Sequence, residues 1–241
     1  MAGVTASSVY AITCMFNPCG YRVRSELHKK FAAHIESLGI PLITAECATG
    51  DQEFVVTLPN EPNHVQVRSR SALFLEENLL NLALKRLPPS CEYVIWTDDD
   101  LTLYSEDLKE KTIDALQKHP VVQLFETCKD LDADGDVMKL HKSFAAAYRD
   151  GEPLFKPAFR APWANMSHTG YCWAARRSVL DACGGFLETA ILGSADGLMA
   201  RAVIGEVGAG IAKGLSDGYS RPILEWQERV LKAMDGGTLG C

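Results

Sequence analysis

The strongest constraint on the fold is an alternation of short apolar runs with amphipathic stripes through the first half of the chain. "SVYAITCMF" (8–16) predicts a buried strand. In "SELHKKFAAHIESLG" (25–39), Leu27, Phe31, Ile35 and Leu38 make one apolar helical stripe, and Gly39 ends it. "IPLITAEC" predicts a second strand and "HVQVR" (64–68) a third. "LEENLLNLALKRL" predicts a helix stopped by Pro88 and Pro89, and "EYVIW" (92–96) a central strand. This rhythm implies an α/β fold: a mostly parallel central sheet covered by helices. Ligand sites in such sheets lie at the carboxyl ends of the strands.

The second half reads differently. "SEDLKEKTIDALQKHP" predicts a capped helix with Leu108 and Leu116 inward, and "VVQLFE" a strand. "DLDADGDV" is turn-rich and predicts the end of a hairpin. "HTGYCWAARRSVLDACGGF" reads as strand, helix and Gly-Gly stop, and "RPILEWQERVLKAM" (221–234) as a last helix. No internal repeat or low-complexity linker interrupts the chain. One domain over 1–241 is expected, with a nucleotide-binding lobe over about 8–103, an acceptor lobe over about 104–234 and a tail at 235–241.

Composition narrows the function classes. The 241 residues are 47% hydrophobic, enough for a sizeable core. The net charge of -7 disfavours a general nucleic-acid binder. No run of about 18 apolar residues predicts a transmembrane helix. The start lacks a basic signal-peptide region, so a cytoplasmic protein is expected. The eight cysteines form no CxxC pair, which favours reduced, packed thiols over zinc. The "NMS" sequon at Asn165 carries little weight in that setting.

The chemistry concentrates in "YVIWTDDDLTL" (93–103). Four strand formers run into Asp98, Asp99 and Asp100, although Asp is depleted from strands and adjacent like charges repel. On an extended segment Asp98 and Asp100 share one side. Two carboxylates at a strand end suit Mg²⁺ or Mn²⁺, which prefer oxygen ligands and bridge to substrate phosphates. The alternative is a solvated acidic turn.

Other clusters are weaker. "DLDADGDVMKLH" begins like a calcium loop, but His141 stands where the bidentate Glu belongs, so a solvated hairpin turn is expected. "GEVGAGIAKG" (205–214) lacks a phosphate-loop ending and reads as a flexible loop, with a lid role as one hypothesis. In "ILGSADGLMARAVIG", helical spacing buries Leu198, Met199, Ala202 and Val203. Asp196 then stands near the helix start, as a cap or as a catalytic base. Asp217 and Glu225 are further carboxylates with less context. Trp163, His168, Tyr171 and Trp173 could face a sugar ring or could pack in the core, which is favoured for Trp173.

Together, "FNPCGYRVRSELHKKF", "AECATGDQEFVV", "HVQVRSRSALFLEENLLNLALKRLPP", "YVIWTDDDLTL", "VVQLFETCKDLDADGDVMKLHKSF" and "HTGYCWAARRSVLDACGGFLETAILGSADGLMARAVIG" resemble the GT-A glycosyltransferases, in particular the family 2-like group of bacteria and large viruses. The resemblance covers about residues 8 to 231. It implies a nucleotide-diphospho-sugar transferase fold with a small mixed second sheet. It further implies Asp98 and Asp100 as ligands of Mn²⁺ or Mg²⁺, with Asp100 the direct one and Asp98 nearer the ribose and the metal's waters. Phe16 and Asn17 would lie against the nucleoside, and Glu46 would contact base or ribose. Arg68 or Arg70 would reach phosphate, and Asp196 would be the general base. Asp99 is grouped with the donor-binding residues, though a role supporting the turn is also open.

The implied activity is transfer of a sugar from a UDP-sugar, or alternatively a GDP-sugar, to a glycan or other hydroxyl acceptor. One displacement inverts the anomeric centre. The resemblance departs at the end: no histidine follows His168, where relatives complete the metal site, so the chain reads as shortened. A non-catalytic nucleotide-sugar or glycan-binding module, or a nucleotidyltransferase, are the competing readings.

Overall fold

The computed structural model describes residues 8–154 and 167–241. Trp163 and Asn165 lie outside the described residues. The first half is built as its periodicity predicts. Strand β1 (Val9–Phe16) leads to helix α1 (Arg22–Ser37), then β2 (Leu42–Thr49), β3 (His64–Ser69), α2 (Glu76–Leu84) and β4 (Tyr93–Thr97). Helix α1 starts three residues earlier than "SELHKK" suggests, and it buries His28 beside Phe31 and Ile35.

The second half supplies α3 (Leu108–Lys118), β5 (Val121–Gln123), the hairpin β6 (Thr127–Leu131) and β7 (Val137–Lys142), and α4 (Phe144–Arg149). Strand β8 (Cys172–Arg176) then runs into α5 (Arg177–Cys183), followed by α6 (Ala195–Ala202), a short 3₁₀ turn over Val207–Gly210, α7 (Asp217–Met234) and β9 (Leu239–Gly240). Helix α3 buries Leu108, Thr112 and Leu116, but its expected side-chain cap does not form. Within the loop expected from "GEVGAGIAKG", Val207–Gly210 form the 3₁₀ turn.

One seven-stranded sheet takes strands from both halves, in the order β3-β2-β1-β4-β8-β5-β9, beside a two-stranded β6-β7 hairpin. β1 pairs in parallel with β2 and with β4, whereas β8 is antiparallel to both β4 and β5. The fold is therefore α/β with a central, mostly parallel sheet and a small second sheet. The expected tail is not loose: its Leu239 and Gly240 pair with Val121 and Val122.

The sheet divides the core. On one side α2, α5, α6 and α7 bury Leu79, Leu180, Leu198 and Trp226 against Ile12 and Val94; on the other, α1 and α3 bury Phe31, Ile35 and Leu116 against Ala11 and Ile95. Burying each such side chain contributes about 1.5–3 kcal/mol. Cys47, Cys91, Cys172 and Cys183 pack inside as small hydrophobes, and all eight thiols are free. From β1 the chain steps one way to β2 and β3, then crosses to the other side as β4. A crevice opens where neighbouring parallel strands lead away in opposite directions, here at the ends of β1 and β4.

Candidate active site

Phe16 closes β1 and Thr97 closes β4, so the segments that follow meet across the crevice. A cleft of about 370 Å³ opens there, within the size range of small-molecule sites. Phe16, Asn17, Asp98, Asp99 and Asp100, all singled out in the sequence, line it. Tyr21, Arg24, Phe74 and Glu76 join them. Phe74 meets Phe16 edge to face, with ring centroids 5.2 Å apart. Asn17 is held by its own loop: its amide donates to Tyr21 O at 2.8 Å, and its carbonyl accepts from Tyr21 N at 3.0 Å.

The three aspartates have separate surroundings. Asp99 is 1% exposed and turns toward α1. Arg24 Nη2 lies 2.5 Å from its Oδ1 and His28 Nδ1 lies 3.2 Å from its Oδ2. Arg24 Nη1 also reaches Asp100 Oδ2 at 2.7 Å, so one guanidinium bridges both acids. Burial raises Asp100 and the Arg24 charge pulls it back. Asp98 has no such partner among these contacts. Burial first, then Glu76, Asp100, Asp196 and Asp99, push its carboxyl well above the usual range.

A second, narrower cavity shares Asp98. Glu76, Glu77, Asp98, Thr169 and Asp196 line it together with apolar residues that include Trp96, Trp173 and Phe186. The two Trp rings stack at 6.1 Å and 11°, so Trp173 is core, and its Nε1 donates to Thr169 O at 2.8 Å. Asp196 sits in the first turn of α6, behind Ser194 at φ +68°. Thr169 donates to Asp196 Oδ2 at 2.7 Å. Of the expected inward residues of α6, Leu198, Ala202 and Val203 are buried and Met199 is partly covered.

Several sequence-predicted residues stand elsewhere. Glu46 lies inside β2 and lines a neighbouring cleft with Asn17 and Tyr21. Its carboxylate is engaged by Val55 N (2.6 Å), Val56 N (3.1 Å), Thr57 N (2.8 Å) and Thr57 Oγ1 (2.6 Å). Arg68 donates to Gly50 O and Gln52 O and stacks over Phe54, 5.1 Å from the ring centre; neither it nor Arg70 lines the aspartate cleft. Glu225 is exposed beside Arg221, and Asp217 opens α7 at the surface. His168 stacks on Tyr171, whose hydroxyl donates to Asp130, and Asp130 also pairs with His141 Nε2 at 2.7 Å. Burial and His141 lower the His168 pKa, which favours the neutral ring.

Arg24, His28, Glu76, Glu77 and Thr169 went unread in the sequence. The Glu76 carboxyl is pushed up to about 8 and that of Glu77 to about 7, by burial first and by neighbouring acids including Asp196. Two acids opening an apolar helix were the available signal, but they resemble ordinary first-turn charges.

The donor set answers whether a cation fits. Among the described residues no three His, Cys, Asp or Glu side chains converge as a complete metal cage. Asp98 and Asp100 offer oxygen ligands in a cleft whose described lining holds four acids and one arginine. Mg²⁺ and Mn²⁺ sites commonly combine one or two carboxylates with substrate phosphates, so the residues present fit such an ion. Among the described residues no helix is long and apolar enough to cross a membrane.

No family model matches the sequence, and no curated protein matches it. Solved structures do match in fold. The synthase of 4-diphosphocytidyl-2C-methyl-D-erythritol from Anaerococcus prevotii aligns over 96% of this chain and 86% of its own, at 16% identity and TM-score 0.42. A mutant Drosophila beta-1,4-galactosyltransferase 7, in complex with manganese, UDP-Gal and xylobiose, aligns over 86% of this chain and 66% of its own, at 11% identity and TM-score 0.44. S. aureus TarS aligns over 80% of this chain and 54% of its own, at 13% identity and TM-score 0.47. The chain thus spans about two thirds and about half of the lengths of the galactosyltransferase and TarS structures. Likeness at this level assigns no activity.

Proposed function

We propose that the chain is a divalent-cation-dependent glycosyltransferase that moves a sugar from a nucleoside-diphosphate donor to an acceptor hydroxyl. One observation carries this reading: Asp98 lines the wide cleft with Phe16, Asn17 and Asp100, and also the narrower cavity that holds Asp196. Nucleotide-side and base-side residues therefore meet at one carboxylate.

Phe16 and Phe74 offer aromatic surface to the nucleoside, and Asn17 offers a fixed polar edge. Asp98 and Asp100 would hold Mn²⁺ or Mg²⁺, whose Lewis acidity would neutralise charge on the departing diphosphate. Asp196 takes the proton from the acceptor hydroxyl as its oxygen attacks the anomeric carbon. The bond from that carbon to the diphosphate oxygen breaks, and the nucleoside diphosphate leaves with the electron pair. A single displacement inverts the anomeric centre. Thr169 occupies Asp196 Oδ2, so Oδ1 is the oxygen left for the incoming proton.

The test is product analysis with UDP-, GDP- and dTDP-sugars, a divalent cation and a panel of hydroxyl acceptors. The expected products are a nucleoside diphosphate and an inverted glycoside, with Asp196→Asn slowing formation by about 10²–10⁴-fold. Nucleotidyl transfer has one observation in its favour, an arginine from the segment after β1 facing the cleft. Pyrophosphate as the product would establish that chemistry instead.

A further inference from the structure

The geometry points to Arg24 as the residue that binds the donor's diphosphate, a role that the sequence placed on Arg68 or Arg70. This inference rests on the nucleotide-dependent reading above and names the residue that makes the cleft selective for phosphate. Arg24 is the one cationic side chain among the described residues lining the aspartate cleft. Four acids line the same cleft: Glu76, Asp98, Asp99 and Asp100. A diphosphate entering this acid-rich lining would be repelled by its ionised carboxylates, and Arg24 is the cationic side chain positioned to offset that repulsion alongside a divalent cation.

Its geometry suits the task. Nη2 is pinned to the buried Asp99 at 2.5 Å and Nη1 to Asp100 at 2.7 Å. Each contact uses one N–H of a guanidinium that has five. The side chain remains 34% exposed and lines the cleft. Anchored arginines lose little further freedom on binding, and their planar fork matches phosphate oxygens. Arg68 is placed elsewhere: its Nη1 donates to Gly50 O and Gln52 O, and it does not line the aspartate cleft.

The bridge to Asp100 also couples two events. A phosphate that draws Nη1 toward itself releases Asp100 Oδ2 for the cation. Diphosphate and cation should therefore bind with positive cooperativity, each strengthening the other equally by linkage.

The experiment is a calorimetric titration of the full chain with UDP, GDP, uridine, guanosine and inorganic pyrophosphate, each with and without Mn²⁺. Wild type is compared with Arg24→Gln and Arg24→Lys, with thermal melting as the folding control. The expected result is a 10- to 100-fold loss of affinity for UDP or GDP and for pyrophosphate in Arg24→Gln. Nucleoside affinity should stay within about twofold, and Arg24→Lys should fall between. Equal weakening of nucleoside and diphosphate would overturn the inference, because a merely structural Arg24 predicts that pattern. Unchanged diphosphate binding in a folded Arg24→Gln would overturn it as well. Arg24-dependent pyrophosphate binding without sugar transfer would support the inference and sink the transferase reading. Sugar transfer with a normal KM for the donor in Arg24→Gln would do the reverse.

Discussion

Thr169 donates its hydroxyl proton to Asp196 Oδ2 across 2.7 Å, joining the segment before β8 to the first turn of α6. The donor is itself well fixed. Trp173 Nε1 holds Thr169 O at 2.8 Å, and Gln123 Nε2 holds His168 O at 2.9 Å and Gly170 O at 3.2 Å. A carboxylate held at one oxygen presents the other in a defined direction. Hydrogen bonds to charged groups contribute about 1.5–3 kcal/mol, or roughly 10- to 100-fold in rate when the interaction serves the transition state. Thr169→Val should slow sugar transfer by about that factor, while Thr169→Ser keeps most of the rate. Equal rates for the Val and Ser variants would show that this contact does not orient the base.

Gly185 predicts a purely structural loss. Its φ is +86°, and an added Cβ would fall 2.2 Å from Asn81 Oδ1. Asn81 is buried and ties α2 to the loop after α5, accepting from Phe186 N at 2.8 Å and donating to Phe186 O at 3.1 Å and to Glu188 Oε1 at 2.7 Å. Left-handed backbone costs a residue with a Cβ about 1–2 kcal/mol, and disturbing a buried hydrogen bond about 1–3 more. Gly185→Ala should lose about 2–5 kcal/mol in urea unfolding. A midpoint within error of wild type would refute this packing.

Glu46 separates a structural role from a nucleotide-contacting one. Four donors from Val55, Val56 and Thr57 converge on its carboxylate. Glu46→Gln turns one acceptor oxygen into a donor facing other donors. The expected outcome is a loss of about 2 kcal/mol and faster amide exchange at Val55–Thr57. A change in nucleotide-base preference with stability intact would instead place Glu46 in the donor site.

The acid pair at the start of α2 predicts a pH dependence. Glu76 moves from 4.5 to about 8 and Glu77 from 4.5 to about 7 in the folded chain. The folded state thus holds protons that the unfolded state has already lost, and stability declines as pH rises through that interval. The contribution is complete below about 4.5 and gone above about 8. Thermal melts from pH 5 to 8.5 without divalent cations should show a falling Tm, and Glu76→Gln should flatten the upper part of the slope. A Tm that climbs over this range would contradict the burial of these acids.

Much of this architecture was legible because strand and helix periods differ so plainly. The βαβ rhythm predicted β1 to β4, and the acids after "YVIW" fell at the strand end where parallel sheets open. Short elements were less legible. "VVQLFE" yields strand only to Gln123, whose side chain turns to clamp the 168–170 segment and Ala145 N. The six residues of α4 and the two of β9 are too few for a periodic signal. Within the site, Asp98 and Asp100 stood out in the sequence from local context, whereas Asp196 read there as a cap or a base and was singled out as a base only by resemblance. Arg24, Glu76 and Thr169 could not be read there, because each acquires its meaning from a partner on a distant element. Arg24 in particular resembles a surface cation until Asp99 and Asp100 are seen beside it.

The most direct test of the central claim is cation-dependent release of nucleoside diphosphate from a nucleotide sugar, compared among wild type, Asp98→Asn, Asp100→Asn and Asp196→Asn. Release should need Mn²⁺ or Mg²⁺ in wild type. Cation and nucleotide binding should weaken together in Asp98→Asn and Asp100→Asn. Asp196→Asn should still bind nucleotide and cation but transfer sugar about 10²–10⁴-fold more slowly. Undiminished release by Asp98→Asn and Asp196→Asn, or release indifferent to chelator, would contradict that claim.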